Sequence, residues 1–333
     1  MFRRTLLCSV LAALLFAPAA LADGGWLDVT QAWEGVENGD GSLRYVTVPA
    51  ETGTAVEAIR TDGGRVDQFA SLAGHFGIPA VAADGTSGGL SHDGKTLVLA
   101  DATRSPRTVS HFAVLNAKQL YRPAQAIVLA GDYGFDALSP DGQTLFLIQR
   151  TSPQDLYHYV VRAYDLEHNR LLPQRIADRT QRGWVMQGFP MARATSADGR
   201  FVYTLYQNPG GTPFVHALDT VSLSAHCIGL PWKGGSDLNA IWNLRLSLRD
   251  GDRQLAVHWR SGRPYLAIDT RTYRLSYPRS GFPWLAVVGG ALGAALLGCG
   301  AALLLRRRRR GDGALDDELE ALLTREAREP TRV

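Results

Sequence analysis

One ten-residue pattern recurs along this chain at nearly constant spacing and limits the fold more than any other feature. In its clearest copy, residues 138–147, an Asp-Gly pair forms a tight turn and a β-prone Thr-Leu-Phe-Leu run follows. The serines of the four copies, Ser91, Ser139, Ser196 and Ser247, are 48, 57 and 51 residues apart. A strand-based period of this length predicts a β-propeller.

A second pattern runs out of phase with the first. It is a short apolar segment headed by Ala58, Ala113, Ala163, Ala217 and Ala267, and these alanines are 55, 50, 54 and 50 residues apart. One Ser-x-Asp-Gly would indicate only a hairpin, whereas two interleaved repeats indicate a repeated four-stranded sheet. We therefore predict an all-β fold, a β-propeller of about five four-stranded blades. Six blades are the alternative if one blade has lost its motifs.

Blade one departs from the pattern because it lacks the Asp-Gly strand. Its three predicted strands lie within residues 43–72, and we expect it to take the missing strand from residues 26–30. Residues 34–41 are predicted as a polar, glycine-rich loop. The other blades are predicted at residues 88–129, 136–177, 193–230 and 243–277.

Charge and cysteine content exclude some classes of protein. The 333-residue chain has a net charge of +3, and five positive charges lie in one arginine run, so no basic folded face for nucleic acid is expected. Of the three cysteines, only Cys227 lies in the predicted folded body, which therefore has no internal disulfide. We predict that Cys227 is a buried, small apolar side chain, with a reactive thiol or an intermolecular bridge as alternatives.

Both ends of the chain carry membrane-related signals. Residues 1–22 have the charged start, apolar centre and Ala-Leu-Ala end of a signal peptide. Residues 285–305 are 21 positions without a charge, enough to span a bilayer as a helix. The arginines behind them favour a cytoplasmic C-terminus, so the body is predicted to lie outside the cell membrane. These orienting residues are Arg306, Arg307, Arg308, Arg309 and Arg310.

The predicted organisation therefore has four parts. They are a signal peptide (1–22), an extracytoplasmic β-propeller (23–280), a transmembrane helix (281–305) and a cytoplasmic tail with a short amphipathic helix (306–333). In the span, Gly289 and Gly293 would permit close helix–helix approach and hence a homodimer. The alternative is that an alanine- and glycine-rich composition places small residues there without a contact.

A ligand- or partner-binding face is predicted where the loops enter the innermost strands. Aromatic and arginine side chains dominate the energetics of many interfaces, and these loops carry both. The alternative is that the loops pack on themselves. Because Tyr277 ends an outermost strand at this same face, a site here would look toward the membrane. The residues are Arg182, Trp184, Arg193, Trp232 and Trp242, accompanied by His75, Phe76, Arg150, Phe189 and Arg260.

Metal and cofactor sites are not expected. Each Asp-Gly aspartate is explained as a turn residue of its own blade, and the aspartates are expected to be splayed around the ring. The histidines show no metal-binding spacing. The glycine-rich stretch 85–89 lacks the Lys-Ser/Thr ending of a phosphate-binding loop. We therefore predict no metal and no cofactor.

The repeat also resembles a known superfamily. Ser-Pro-Asp-Gly-Gln-Thr-Leu-Phe-Leu at residues 139–147 is similar to the WD40-like repeats of bacterial TolB-like, YVTN and lactonase-like β-propellers, and the resemblance covers residues 43–277. It implies the propeller fold. Those families include periplasmic scaffolds, surface proteins and lactone hydrolases, and none of the lactonase catalytic residues match here. The whole organisation resembles a membrane-anchored actinobacterial envelope protein.

Three functions fit these observations. We favour a non-enzymatic scaffold or binding module of the cell envelope, anchored in the membrane, with a protein or envelope component as its partner. The second is a surface hydrolase, lactonase-like or other, with its site at the channel mouth, for which Asp132, Asp136 and Asp237 are the candidate acids. The third is a signalling subunit that is read out by the cytoplasmic tail. Fold alone does not choose among them.

Overall fold

The computed structural model describes residues 28–30, 32–180, 186–208, 211–232 and 238–278. The predicted signal peptide, transmembrane segment and tail lie outside these residues. Within the described ranges, no helix is long and apolar enough to cross a membrane. The contacts divide the chain after Pro278, and the unit that ends there contains all of the described residues.

The described residues form five antiparallel sheets, and one short helix, α1 (Leu238–Trp242), precedes the last sheet. The predicted all-β class and four-stranded sheets are confirmed, and the five sheets match the predicted blade number.

Sheet 1 contains β2 (Ala32–Glu37), β3 (Leu43–Ala50), β4 (Gly53–Arg60) and β5 (Val66–Ala73). Sheet 2 contains β1 (Val29–Thr30), β6 (Phe76–Pro79), β7 (Thr96–Asp101), β8 (Val109–Asn116) and β9 (Gln125–Ala130). Sheet 3 contains β10 (Asp132–Leu138), β11 (Thr144–Arg150), β12 (His158–Asp165), β13 (Arg170–Ile176) and β14 (Met186–Gln187). Sheet 4 contains β15 (Phe189–Thr195), β16 (Phe201–Gln207), β17 (Phe214–Asp219) and β18 (Ser224–Gly229). Sheet 5 contains β19 (Leu244–Arg249), β20 (Gln254–Trp259), β21 (Pro264–Asp269) and β22 (Leu275–Ser276).

The first strand of sheet 1 corrects a sequence prediction. It is β2, which pairs with β3 across a register shift, and not a segment within residues 26–30. Strand β1 instead pairs with β6 of sheet 2. Two glutamates and Gly35 hide the strand in the sequence, so residues 34–41 resemble a loop. Gly35 is required at the irregularity, because a Cβ there would lie 2.1 Å from the carbonyl oxygen of Tyr45.

Apolar clusters join each sheet to the next in chain order, as in a β-propeller. The second sequence pattern lies on the third strand of sheets 1, 3, 4 and 5 and on the fourth strand of sheet 2, where a small side chain lets the neighbouring sheet approach. Ala58, Ala113, Ala163 and Ala217 are all buried in these clusters. The repeat therefore encodes packing between sheets as well as strands within them.

Three copies of the Ser-x-Asp-Gly pattern form the same turn, as predicted. The serine hydroxyl donates to the aspartate two residues later at 2.6 Å in each copy. The same aspartate oxygen accepts a backbone N–H at 3.0 Å. The fourth copy differs because its aspartate is one residue later. Ser247 lies inside β19, and Asp250, Gly251 and Asp252 turn the chain with positive φ.

The turns converge, which contradicts the expectation that their aspartates are splayed around the ring. The Asp93 N–H donates to the carbonyl of Pro140 at 3.1 Å, which joins the turns of sheets 2 and 3. A Cβ on Gly199 would lie only 2.6 Å from the Cβ of His92, so the turn of sheet 4 also reaches the turn of sheet 2. The reason is that each turn follows an innermost strand. We call this end of the sheets, defined by residues 91–95, 139–143 and 196–200, the turn end.

Candidate functional site

A cavity of about 220 Å³ lies at the turn end, among the innermost strands. Its wall comes from the last residues of β2, β10 and β15 and from residues 81–92, and it mixes apolar and polar groups. A concave surface with a few converging polar groups is the usual form of a small-molecule site. Its polar side chains are Glu37, Thr86, Ser87, Ser91, His92, Asp136, Arg193 and Thr195.

Residues 81–87 help to complete this cavity because they loop out of sheet 2 to reach sheet 4, before residues 88–90 pair with sheet 2 again. The Ala83 N–H donates to the Pro190 carbonyl at 3.0 Å, and the Arg193 N–H donates to Asp84 Oδ2 at 3.3 Å. The sequence signal for this crossing is the glycine-rich stretch 85–89. It has no phosphate-binding ending, and its glycines instead permit a tight path along the cavity wall.

An ion pair between Asp136 and Arg193 forms one side of the cavity. Arg193 Nη2 donates to Asp136 Oδ1 at 2.6 Å, and Nη1 donates to the Asp136 backbone carbonyl. The two side chains are only 6% and 3% exposed, so the pair is shielded from bulk solvent. The pair therefore holds β10 of sheet 3 against β15 of sheet 4.

This pair leaves hydrogen-bonding capacity unused. Asp136 Oδ2 and Arg193 Nε are buried without a hydrogen-bond partner among the described residues. A buried polar group without a partner costs about 1–3 kcal/mol, and more when it is charged. Both residues line the cavity, but these two atoms are themselves buried, so a ligand or water would satisfy them only if the side chains move.

A second buried ionic cluster lies at the opposite end of β10, and we call it the four-residue network. Arg107 and Arg150 each contact both Asp28 and Asp132, and every one of these side chains is at most 9% exposed. Ser105 donates to Asp132 Oδ1 at 3.0 Å and accepts from Arg150 Nη1 at 2.8 Å. Burial lowers the pKa of Arg150, but the two carboxylates outweigh burial and raise the pKa overall.

A third buried group lies in sheets 3 and 4 and contains the cysteine that sequence analysis singled out. Cys227 is buried, as predicted, and its Sγ lies 3.5 Å from His216 Nδ1 and 3.9 Å from Met186 Sδ. Burial raises the pKa of the Cys227 thiol to about 12 and lowers the pKa of His216 to about 4. Both groups are therefore neutral at physiological pH.

The residues predicted to share one binding face are separated in the structure. Arg193 lies at the cavity, whereas Trp232 packs against Trp259 and Tyr265, and Trp242 packs against Phe189 at the start of β15. These tryptophans therefore mark the end of the sheets opposite to the turn end. Outside the described residues lie Arg182, Trp184, Asp237, Gly289, Gly293 and the arginines 306–310.

The three acids named for the hydrolase alternative also separate. Asp136 lines the cavity, while Asp132 belongs to the four-residue network and is absent from the cavity wall. Sequence reasoning named Asp136 and Arg193 for different functions and did not pair them. They are 57 residues apart in the chain, and no local sequence pattern predicts a contact between residues of two different sheets.

Comparisons with known proteins give fold likenesses only. No family model matches the sequence, and a search of curated proteins finds no match either. Among solved structures, hydrazine synthase of Kuenenia stuttgartiensis is 17% identical with a TM-score of 0.45, covering 71% of this chain and 63% of that one. TolB from Acinetobacter baumannii is 14% identical with a TM-score of 0.38, covering 72% and 54%. The Dos1 propeller is 9% identical with a TM-score of 0.43, covering 73% and 56%.

The chain thus spans less than two thirds of each of these three structures. TolB and a propeller are among them. Since every TM-score is below 0.5, none of these likenesses carries an argument.

Proposed function

We propose that this chain is a membrane-anchored, extracytoplasmic binding module that takes a small polar ligand in the turn-end cavity. The observation that carries the proposal is the Asp136–Arg193 pair, which lines the cavity and whose buried Oδ2 and Nε find no hydrogen-bond partner among the described residues. Binding sites keep such groups because a ligand that satisfies them gains their hydrogen bonds and relieves their desolvation.

The pair also indicates the class of ligand. Because Arg193 already neutralises the charge of Asp136, this part of the cavity wall favours a neutral ligand over an ion. The unused atoms are one acceptor and one donor, which suit a ligand that carries both types of group. A cavity of about 220 Å³ lies below the usual range for drug-sized ligands. Neutral monosaccharides and small amides carry no charge, have both donor and acceptor groups, and are small enough for this cavity.

The test is a ligand screen on the full-length chain in detergent. Neutral monosaccharides and small amides are screened by thermal shift, and each hit is titrated by calorimetry against wild type, Arg193→Met and Arg200→Met. Arg200 is the matched control because it forms an ion pair with Asp219 in the same sheet, away from the cavity wall. We expect binding that Arg193→Met abolishes and Arg200→Met keeps.

The screen can also contradict the proposal. Tighter binding of amines or carboxylates than of neutral compounds would overturn the ligand class. Binding that is insensitive to Arg193→Met would overturn the site. Mass spectrometry of each hit after incubation tests the hydrolase alternative, because the binding module returns every compound unchanged.

A further inference from the structure

Three side chains with soft or borderline donor atoms meet in the core between sheets 3 and 4. His216 on β17 and Cys227 on β18 are directly paired in register, and Met186 reaches them from β14. Their exposed fractions are 2%, 3% and 2%. We define these residues as the His-Cys-Met cluster.

We propose that the His-Cys-Met cluster is a binding site for a monovalent copper ion, independent of the ligand cavity. Thiolate and thioether sulfur together select Cu(I), and imidazole suits copper as well. Within the described residues, no group of three or more His, Cys, Asp and Glu side chains could hold a metal, so the methionine is essential to this site. The proposal departs from the absence of metal expected from the sequence.

The distances between the donor atoms fit a shared ion. Bond lengths of about 2.0 Å to nitrogen and about 2.3 Å to sulfur, at tetrahedral to trigonal angles, place donor atoms about 3.5–4.0 Å apart. The structure has 3.5 Å between His216 Nδ1 and Cys227 Sγ, and 3.9 Å between Cys227 Sγ and Met186 Sδ. An ion can therefore enter without rearrangement of these two pairs.

A second observation is the state of His216. Its Nε2 is buried without a hydrogen-bond partner among the described residues, in a ring that stands at 83° to that of Tyr206. A buried, poorly satisfied imidazole beside two sulfur atoms is costly as plain core packing. A metal at Nδ1 supplies the binding energy that compensates for this burial.

The surroundings of Cys227 also hold its backbone in place. The Cys227 backbone N–H donates to Asp178 Oδ2 at 2.9 Å, and this carboxylate also faces His226 at 3.1 Å. These contacts fix the strand that carries the sulfur, as outer contacts of metal ligands commonly do. On binding, the thiol S–H bond breaks, the proton leaves to buffer and a Cu–S bond forms. No oxidation or reduction takes place.

The experiment is an anaerobic titration of the full-length chain with Cu(I) against a coloured chelator of Cu(I). We expect one equivalent bound in competition with the chelator, and none after Cys227→Ser. Cys299→Ser is the matched control, since it removes a thiol outside the cluster and should leave the stoichiometry unchanged.

Met186→Leu keeps the test decisive if Cys227→Ser fails to fold, because a leucine of similar volume is tolerated in cores. We expect it to weaken binding by about 10-fold or more, as loss of metal-site contacts does. X-ray absorption should show one nitrogen and two sulfur atoms bound to copper in the wild type, and one sulfur fewer in Met186→Leu. Wild-type protein that takes no Cu(I) from the chelator, or equal affinity in Met186→Leu, would overturn the proposal.

Discussion

The two ends of strand β10 carry the same kinds of charged residue in ion-pair groups of different size. Asp132 begins the strand within the four-residue network, where two arginines and two aspartates balance each other. Asp136 lies four residues later, about 13 Å along the strand, and pairs with Arg193 alone. Each aspartate leaves its Oδ2 without a partner, but only Asp136 lines the cavity.

The difference separates a structural role from a binding role. In the four-residue network, Asp28 has an arginine on each oxygen, and both arginines bridge two carboxylates, so the network ties the chain before β1 to sheets 2 and 3. In the Asp136–Arg193 pair, a buried acceptor and a buried donor remain unused in two side chains that line the cavity. Burial of charged residues alone therefore does not identify a binding site. Unused hydrogen-bonding atoms in buried residues that line a cavity do indicate one.

The largest expected effect is on stability, from Arg150→Met in the four-residue network. It leaves Asp28 and Asp132 with Arg107 as their remaining arginine partner, and an uncompensated buried charge costs about 3–5 kcal/mol. Chemical denaturation of wild type and variant measures the loss. A loss below about 1 kcal/mol would show that the network is not structural.

Arg193→Met should cost less stability but abolish binding. The variant removes the arginine partner of one buried carboxylate, whereas Arg150→Met removes a partner of two, so the expected loss is about 1–3 kcal/mol, below that of Arg150→Met. The same denaturation series ranks the two variants. The reverse ranking would mean that the Asp136–Arg193 pair, and not the network, holds the sheets together.

Ser105→Ala tests the finer structure of the network. The hydroxyl both donates to Asp132 and accepts from Arg150, so its removal should cost about 1 kcal/mol. Ligand binding should remain at the wild-type level because Ser105 is far from the cavity wall. A change in ligand affinity would indicate that the two ends of β10 are coupled.

The smallest effect is expected at the partly exposed Arg200–Asp219 pair. Burial raises the pKa of Asp219, but the Arg200 guanidinium and backbone N–H groups outweigh burial and lower it to about 2. Because this pKa is below the unfolded value of about 3.9, the stabilisation is present above about pH 4 and is lost as pH falls toward about 2. Melting curves across this range should show a shallower pH dependence for Asp219→Asn, and an identical dependence would contradict the assignment.

The parts of the fold that local chemistry determines could be predicted from the sequence. Three Ser-x-Asp-Gly turns form as expected because each is closed by its own hydroxyl and carboxylate. The fourth copy fails because one extra residue separates Ser247 from Asp250 and places the serine inside a strand. Strand β2 is hidden because its glutamates and Gly35 do not resemble a β-prone run.

The candidate site depends on contacts that the sequence does not display. Residues 81–87 leave their own sheet and reach Pro190, which no repeat spacing indicates. Asp136 and Arg193 were each noticed, but their contact joins two sheets. Cys227 was predicted to be buried, while its neighbours His216 and Met186 come from two other strands. Tertiary packing, not local pattern, assembles each of these groups.

The most direct measurement compares the two aspartates of β10 by the same isosteric change. The dissociation constant of a neutral ligand identified in the screen is measured by calorimetry for wild type, Asp136→Asn and Asp132→Asn. We predict that Asp136→Asn weakens binding by about 10- to 100-fold, as loss of a hydrogen bond to a charged group does, and that Asp132→Asn lowers stability without changing affinity. Equal affinities in wild type and Asp136→Asn, or a greater loss of affinity in Asp132→Asn, would contradict the central claim.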